Sequence, residues 1–435
     1  MIWTAAVLAF AIGNGISTGG TVPAVDSMTT TYSIGGLRVI HRRANVSTVV
    51  ANLYLLGGVR SAPTGQAGLE NLLLQVSERG TARYSRDALR KSIARTGSEF
   101  VVEPREDWTV VGVRMVPAEI DSTWSIFAER VMRPRLDSAD VEFVRNQMLA
   151  AVRQRDDSPD AILDYLADSA TFAGHPYALS PVGTARSLAS ISRADLQRFH
   201  REQFVTSRML LVVVGNVDRP TMERLVRGTL ATLPTGSFKW TMPDTLDSSK
   251  SDVAVVRRAL PTNYLQGFFR GPPANSPDAA ALRIAAAVLS GRLFGEIRSK
   301  RNLTYAVSAS YRDRALTSVG LYVTTTAPDS VLALMLAEVR TLKLFPIQTE
   351  MLHPVVQQFI TEYFLDNETS TAQADFLARA QLYRGDYVTG ERFVAELRAV
   401  TGADVRRVAQ RYLTNARWAY VGDPSRVSRD RLAVF

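Results

Sequence analysis

The sequence of 435 residues contains no cysteine and few lysines. Without cysteine the chain can form no disulfide, thiol nucleophile or thiolate metal site. Arginine therefore supplies nearly all the basic charge behind the net charge of +9, since the lysines are only Lys91, Lys239, Lys250, Lys300 and Lys343. The arginines are scattered among acidic residues, which predicts solvated surfaces and no nucleic-acid-binding face. A basic cleft that attracts acidic peptides is the alternative interpretation.

Long apolar runs are also lacking. Residues 2–12 are apolar but too few to span a bilayer. A small and polar stretch follows, up to Val22-Pro23-Ala24, where a secretory signal could end. We therefore expect residues 1–30 to be a signal or leader segment of a periplasmic or secreted protein without a membrane span. The alternative is a buried N-terminal strand or helix in a cytoplasmic protein.

The two halves of the chain repeat one plan of strand, strand and helix. In the first half these elements are predicted at residues 36–43, 46–56 and 69–76. In the second half they are predicted at 252–258, 263–270 and 279–289, with a loop that begins at Gly271. Repetition at a distance of about 215 residues indicates a duplication.

We predict an α+β fold of two homologous domains, each a mostly antiparallel sheet covered by helices. The N-terminal domain is expected at residues 31–233 and the C-terminal domain at 252–435. Residues 234–251 contain Pro, Gly, Ser and Asp without a hydrophobic period, so they are predicted to be the linker.

Several short motifs occur in a defined order along both halves. The first half contains Gly68-Leu69, Gly80-Thr81, Gly174-His175-Pro176-Tyr177 and Gly183-Thr184, and the second contains Gly291-Arg292-Leu293-Phe294. In order and spacing they resemble the pitrilysin/insulinase-type zinc metallopeptidases, from about Thr31 to the C-terminus. The resemblance implies that the two domains form half of a clamshell.

The chain departs from that family where the metal should bind. Counting back from Gly80-Thr81, the positions of the family's first His, its Glu and its second His hold Asn71, Leu74 and Gln75. The third ligand, a Glu, should fall at Ala150 or Ala151. Zinc needs imidazole, carboxylate or thiolate donors, and the Glu is also the general base. We therefore predict that this chain binds no metal.

No other set of residues rebuilds a familiar catalytic site. The histidines are His41, His175, His200 and His353, and none has a His or carboxylate partner one turn away on the same helix face. Packed or solvated histidines are the preferred interpretation. An independent hydrolase with an unrecognised site is the alternative.

The second half retains a pair that the resemblance makes functional. In catalytic family members the duplicated domain supplies an Arg and a Tyr that reach the scissile peptide, and Arg298 and Tyr305 keep their spacing. A guanidinium can hold the substrate backbone, and a phenol can donate to the carbonyl oxygen as it becomes an oxyanion. Arg301 is the alternative to Arg298.

The resemblance also assigns a substrate-binding strand. Residues 97–103 resemble the family's edge strand, which receives peptide by strand addition through main-chain hydrogen bonds. The candidate substrate-binding residues are Gly97, Ser98, Glu99, Phe100 and Val101. Without a nearby zinc, this strand is alternatively a vestigial edge.

Together these features predict a non-catalytic subunit of a heteromeric zinc peptidase. It would bind peptide and contribute Arg298 and Tyr305 to the site of a zinc-bearing partner of the same family in a heterodimer. No independent metallopeptidase activity is expected, and zinc is expected on the partner. A proteolytically silent scaffold, as in respiratory complexes, is the alternative.

Overall fold

A computed structural model describes residues 28–246 and 252–433. Residues 1–27 of the predicted leader and 247–251 of the predicted linker lie outside the described residues. Residues 234–246 contain neither helix nor strand, and Trp240 there donates its indole N–H to the carbonyl of Leu382 at 2.7 Å. Among the helices that the structure describes, none is both long and apolar enough to cross a membrane.

The first half contains a six-stranded sheet. Its strands are β1 (Thr29–Ile34), β2 (Leu37–Arg43), β3 (Val49–Leu56), β4 (Glu99–Pro104), β5 (Trp108–Met115) and β6 (Met209–Gly215). Their order is β1-β2-β6-β3-β5-β4, and every neighbouring pair except β2 and β6 is antiparallel. The β6 sequence MLLVVVG is buried throughout, as expected for a β-branched strand covered on both faces.

Helices cover one face of this sheet and form a core around Leu72, Leu73 and Phe127. The first-half helices are α1 (Leu69–Val76), α2 (Arg86–Thr96), α3 (Ile120–Met132), α4 (Ser138–Asp157), α5 (Pro159–Thr171), α6 (Ala185–Ser190), α7 (Arg193–Gln203) and α8 (Arg219–Arg227). Thr184 and Ser192 start α6 and α7 with capping boxes, which satisfy free N–H groups of the first turn.

The second half contains a five-stranded sheet. Its strands are β7 (Asp252–Arg257), β8 (Asn263–Pro273), β9 (Ala306–Arg312), β10 (Leu316–Thr325) and β11 (Arg417–Gly422). The helices are α9 (Asp278–Leu293), α10 (Pro328–Leu344), α11 (His353–Asp366), α12 (Ser370–Arg384), α13 (Phe393–Arg398), α14 (Gly402–Tyr412) and α15 (Arg429–Ala433). A π-helix, Phe294–Ser299, follows α9 directly.

The two sheets have the same topology. The second sheet runs β7-β11-β8-β10-β9, which matches β2-β6-β3-β5-β4 of the first sheet strand for strand. The parallel pair also recurs in the same place, β7 with β11 and β2 with β6. The predicted α+β fold with two related, mostly antiparallel sheets is confirmed, and β4 and β9 are equivalent edge strands.

Each half sends one helix across to the other half's sheet. Helix α5 packs against β8 and β11, where Leu163 and Ala167 join Phe268 and Val421 in a core. Helix α12 packs against β3 and β6 in the same way, with Leu377 in a core that includes Val212. The exchange buries the second face of both sheets and joins the halves.

The carboxylate of Asp107 lies buried where the halves meet. It accepts hydrogen bonds from the hydroxyl of Tyr177 at 2.6 Å, the hydroxyl of Tyr383 at 3.0 Å and the backbone N–H of Ala315 at 3.1 Å. Arg60 completes the set at 3.1 Å. These donors come from both halves, so one carboxylate ties the two together.

The prediction of a loop that begins at Gly271 is wrong, because β8 continues to Pro273. The register with β10 shifts between Arg270 and Pro273, which marks a bulge. A Cβ at Gly271 would lie 2.2 Å from the hydroxyl oxygen of Thr317, so the glycine permits a close approach of the strands.

Candidate functional site

Helix α1 carries the positions where the resemblance places two metal ligands, Asn71 and Gln75, and the general base, Leu74. Gly68, with φ of 87°, precedes the helix, and a Cβ there would lie 2.8 Å from Gly183. The two glycine motifs therefore pack directly against each other. Leu74 is fully buried in the first-half core and Asn71 is 6% exposed, while Gln75 is half-buried. The position of the general base has thus become a core position.

The third ligand position adds no donor. Ala150 and Ala151 are exposed residues on α4, which packs against α1. Neither methyl group can bind a metal, and amide side chains are poor zinc donors. In residues 28–246 and 252–433 no group of three His, Cys, Asp or Glu side chains is arranged to hold a metal ion. The residues at these positions therefore do not fit a zinc ion.

A buried ion pair, which the sequence analysis did not predict, lies directly beside these positions. Arg208 is fully buried and lies 2.7 Å from the carboxylate of Glu70, which precedes Asn71. Its Nε also donates to the carbonyl of Leu56 at 2.7 Å. The α1 terminus is therefore held by a charge pair inside the protein.

Three of the histidines engage backbone groups. The Nε2 atoms of His41 and His200 lie 3.1 Å and 2.8 Å from the carbonyls of Val217 and Val131. His175 accepts from the N–H of Tyr177 through Nδ1 at 3.1 Å. Burial lowers the pKa of all three histidines. Their contacts fit a role in packing and capping.

The structure brings Arg298 and Tyr305 together. The guanidinium carbon of Arg298 lies 4.7 Å from the centre of the Tyr305 ring and 5.0 Å from that of Phe294. Tyr305 is 82% exposed, and Phe294 is 45% exposed. The pair therefore projects from the surface as a stacked guanidinium and phenol.

The backbone around this pair is well held. Arg298 lies in the π-helix, a rare conformation that is frequent at functional sites. The N–H of Leu303 donates to Ile297 at 3.1 Å and that of Asn302 to Arg298 at 3.0 Å. Thr304, just before Tyr305, donates its hydroxyl to the carbonyls of Ala306 and Thr324. A firm turn thus presents an exposed phenol immediately before the edge strand β9.

Arg301, the alternative to Arg298, has a different environment. Its guanidinium pairs with the carboxylate of Glu296, which Lys300 also contacts at 2.8 Å. Arg298 is thus the arginine stacked on Tyr305. The contact of Phe294 with Arg298 was not predicted from the sequence, although Phe294 belongs to the Gly291–Phe294 motif.

The candidate substrate-binding residues lie at and before the edge strand β4. Gly97, with φ of 60°, ends α2, and buried Ser98 lies 2.7 Å from the hydroxyl of Thr96. In the strand, Glu99 and Val101 are exposed on one face, while Phe100 packs partly against the first-half core. β4 pairs with β5 along one side, so its other side is an edge that another strand can join.

Comparisons with protein families cover most of the chain. Residues 38–185 match the insulinase family, peptidase family M16, and residues 190–359 match the peptidase M16 inactive domain. The chain belongs to the insulinase family of peptidases. It is related to that family's inactive type, which agrees with the loss of donors on α1 and α4.

Three curated relatives align with this chain over most of its length. An uncharacterized zinc protease of Mycobacterium tuberculosis is 26% identical over 90% of this chain and 92% of the relative. The mitochondrial-processing peptidase subunit beta of Lentinula edodes is 22% identical over 88% and 86%. Cytochrome b-c1 complex subunit 1 of Caenorhabditis elegans is 23% identical over 89% and 86%.

A solved structure shows the same fold. The peptidase M16 inactive domain from Pseudomonas fluorescens superposes with a TM-score of 0.83 at 21% identity. The match covers 92% of this chain and 99% of the other. The two chains therefore share the two-domain α+β architecture.

Proposed function

We propose that this insulinase-family chain is the non-catalytic subunit of a heteromeric zinc peptidase. It binds peptide and contributes Arg298 and Tyr305 to the active site of a zinc-bearing partner of the same family. The observation that carries the proposal is the exposed pair itself, with Tyr305 82% exposed and the guanidinium of Arg298 4.7 Å from its ring.

The exposure of Tyr305 supports a contact of its side chain with a molecule outside this chain. In the described part of the protein its hydroxyl has no hydrogen-bond partner, whereas a tyrosine that serves packing usually buries its ring. A free phenol O–H can donate to a peptide carbonyl oxygen as negative charge develops there. Arg298 stacks beneath the ring and presents guanidinium N–H groups to the same peptide.

The proposal of a zinc-bearing partner rests on the absence of zinc ligands and of a general base in the first half. Asn71, Leu74, Gln75 and the two alanines of α4 offer no zinc ligands and no general base. Activation of water would therefore fall to the other subunit, and the two subunits together would form the clamshell. The similarity to a processing peptidase subunit supports an assembly of unlike subunits. We further propose that the chain acts after export, in the periplasm or outside the cell.

Replacement of Tyr305 by Phe tests the proposal. The change removes one hydroxyl from an exposed side chain, so expression and assembly should be preserved. Loss of one oxyanion donor typically lowers turnover about 100- to 1000-fold. The assay measures cleavage of a mixture of short peptides by the complex isolated from the native cell or reconstituted with its zinc-bearing subunit.

Arg298→Ala provides a second variant, and Arg153→Ala is its matched control because Arg153 is an exposed arginine on α4.

Metal analysis of the purified chain after chelation and re-addition should show well under one zinc per chain. Wild-type turnover in the Tyr305→Phe complex would refute the shared-site mechanism. So would stoichiometric zinc on this chain with peptidase activity in isolation.

A scaffold role is the second candidate, and the similarity to a cytochrome b-c1 complex subunit favours it. A scaffold predicts assembly with a partner but no effect of Arg298 or Tyr305 on any turnover. The same variants therefore separate the two candidates.

A further inference from the structure

An arginine-lined cavity lies beside the edge strand β4. Its volume is about 350 Å³, and four arginines line it together with one acidic residue, Glu78. The arginines are Arg79, Arg86, Arg90 and Arg130, from the segment after α1 and from helices α2 and α3. Guanidinium groups from three segments thus converge on one space.

The charges of this cavity are incompletely balanced. Arg130 is 2% exposed and pairs with Glu78 at 2.8 Å, but its Nη1 has no hydrogen-bond partner in the described residues. Arg86 is exposed and makes no ion pair in the same part of the chain. Arg90 lies 3.9 Å from Asp87, with both side chains highly exposed, so their attraction is weak. Arg79 pairs with Asp140 at 3.0 Å, so the positive charge that the cavity retains lies mainly on Arg86 and Arg90.

The cavity also lies on the side of β4 to which side chains of a peptide added as a further strand would point. The ring of Phe100 in β4 lines it and lies 4.9 Å from the guanidinium carbon of Arg130. A peptide paired with the free edge of β4 would run about 4.8 Å away, with alternate side chains on each face of the sheet. Every second side chain of that peptide would then point to the face of Phe100 and the arginines.

We propose that this cavity binds a carboxylate of a peptide held on β4. Arginine suits this ligand because its planar fork matches a carboxylate with two parallel hydrogen bonds. The carboxylate comes either from an Asp or Glu side chain or from the C-terminus of the peptide. The inference rests on the proposed function only in taking a peptide as the ligand.

Binding of labelled peptides to the full chain, followed by fluorescence anisotropy, tests the inference. The first probe is an amidated peptide of alternating Val and Thr with one central Glu, and the second has Gln at that position. A third has the central Gln and a free C-terminal carboxylate. We expect one carboxylate peptide to bind about tenfold tighter than the amidated Gln peptide. Which of the two it is identifies the source of the carboxylate.

Replacing both exposed arginines, Arg86→Gln with Arg90→Gln, should reduce this preference to about twofold or less. Both side chains are exposed, so the fold should persist. Lys91→Gln is the control, because it removes a positive charge from α2 at a residue that does not line the cavity; it removes one charge where the double variant removes two. Equal binding of the three peptides, no binding of any, or an unchanged preference in the double variant would overturn the inference. The assay measures binding to this chain alone, without turnover by a partner, so its outcome is separate from that of the shared-site test.

Discussion

The equivalent ends of the two sheets have diverged in opposite ways. In the first half, helix α1 carries the positions where the resemblance places the metal motif, and it packs Leu74 into the core, fully buried. In the second half, the segment that precedes edge strand β9 unwinds into a π-helix and leaves Tyr305 82% exposed. One topology therefore supports a packed, buried end in the first half and an exposed, projecting end in the second.

The largest expected effect concerns the buried ion pair of the first half. Glu70→Ala would leave Arg208 as an unpaired charge in the protein interior. Breaking a buried pair in this way typically lowers the free energy of unfolding by about 3 to 5 kcal/mol. Urea denaturation followed by circular dichroism measures the change.

Glu202→Ala is the control, since Glu202 is exposed on α7 and should change stability by less than about 0.5 kcal/mol. Replacing both partners, Glu70→Leu with Arg208→Met, should restore most of the loss because no charge remains buried. A stable Glu70→Ala variant would show that water reaches Arg208.

The next effect concerns the contact between the halves. Asp107→Ala removes the acceptor of Tyr177, Tyr383 and Ala315, whose buried donors would lose their partner. An unsatisfied buried donor costs about 1 to 3 kcal/mol, so we expect a loss of about 3 kcal/mol overall. Asp107→Asn keeps an acceptor oxygen and should lose less.

The shape of the urea transition in Asp107→Ala sharpens the comparison. If Asp107 couples the halves, the variant should unfold in two steps, with tryptophans of the two sheets reporting different midpoints. A single unshifted transition would mean that the exchange of α5 and α12 suffices to couple them.

The sequence predicted local structure better than the relation between the halves. The bounds of α1 agree with the prediction, and those of β2 and β7 agree within one residue, because apolar periodicity marks them. The crossing of α5 and α12 was not predicted, since periodicity shows that a helix has an apolar face but not which sheet it covers. Short β1 was also missed.

The candidate site was predictable only through the resemblance. A spacing of seven residues does not by itself place a guanidinium on a phenol, and the π-helix that does so has no sequence signature. The ion pair of Glu70 and Arg208 joins residues far apart in the chain. The arginine cavity likewise depends on the packing of α2 and α3 around β4. The assignment of roles to Arg298 and Tyr305 stays a prediction.

A smaller effect is the response to acid, which we expect to arise in the first half. Burial lowers the pKa of His41 and His200 below the ordinary value of 6.5, so the folded state takes up protons less readily than the unfolded state. Their contribution is complete above pH 6.5 and is lost as pH falls through that value towards the folded pKa. We therefore expect the free energy of unfolding to fall between pH 7 and pH 5.

Urea titrations at a series of pH values measure this slope. A double variant, His41→Gln with His200→Gln, should show a flatter profile over the same window. Burial raises the pKa of the Asp278 carboxyl, but its contacts with Arg407 outweigh burial and lower the pKa overall. Such carboxylates contribute to acid sensitivity only below their ordinary pKa of 3.8. An unchanged slope in the double variant would place the acid sensitivity elsewhere.

The smallest expected effect is on the stability of the second-half site. Tyr305 is almost fully exposed and its hydroxyl has no partner in the described residues, so Tyr305→Phe removes no buried contact. Its free energy of unfolding should match that of the wild type within about 0.5 kcal/mol. Tyr383→Phe is the matched comparison, since that hydroxyl is buried on Asp107 and its loss should cost about 1 kcal/mol or more. Thermal and urea denaturation of the two variants side by side check the contrast. Unaltered stability with impaired turnover would show that Tyr305 serves a substrate, whereas a destabilised Tyr305→Phe would mean that the phenol serves the fold.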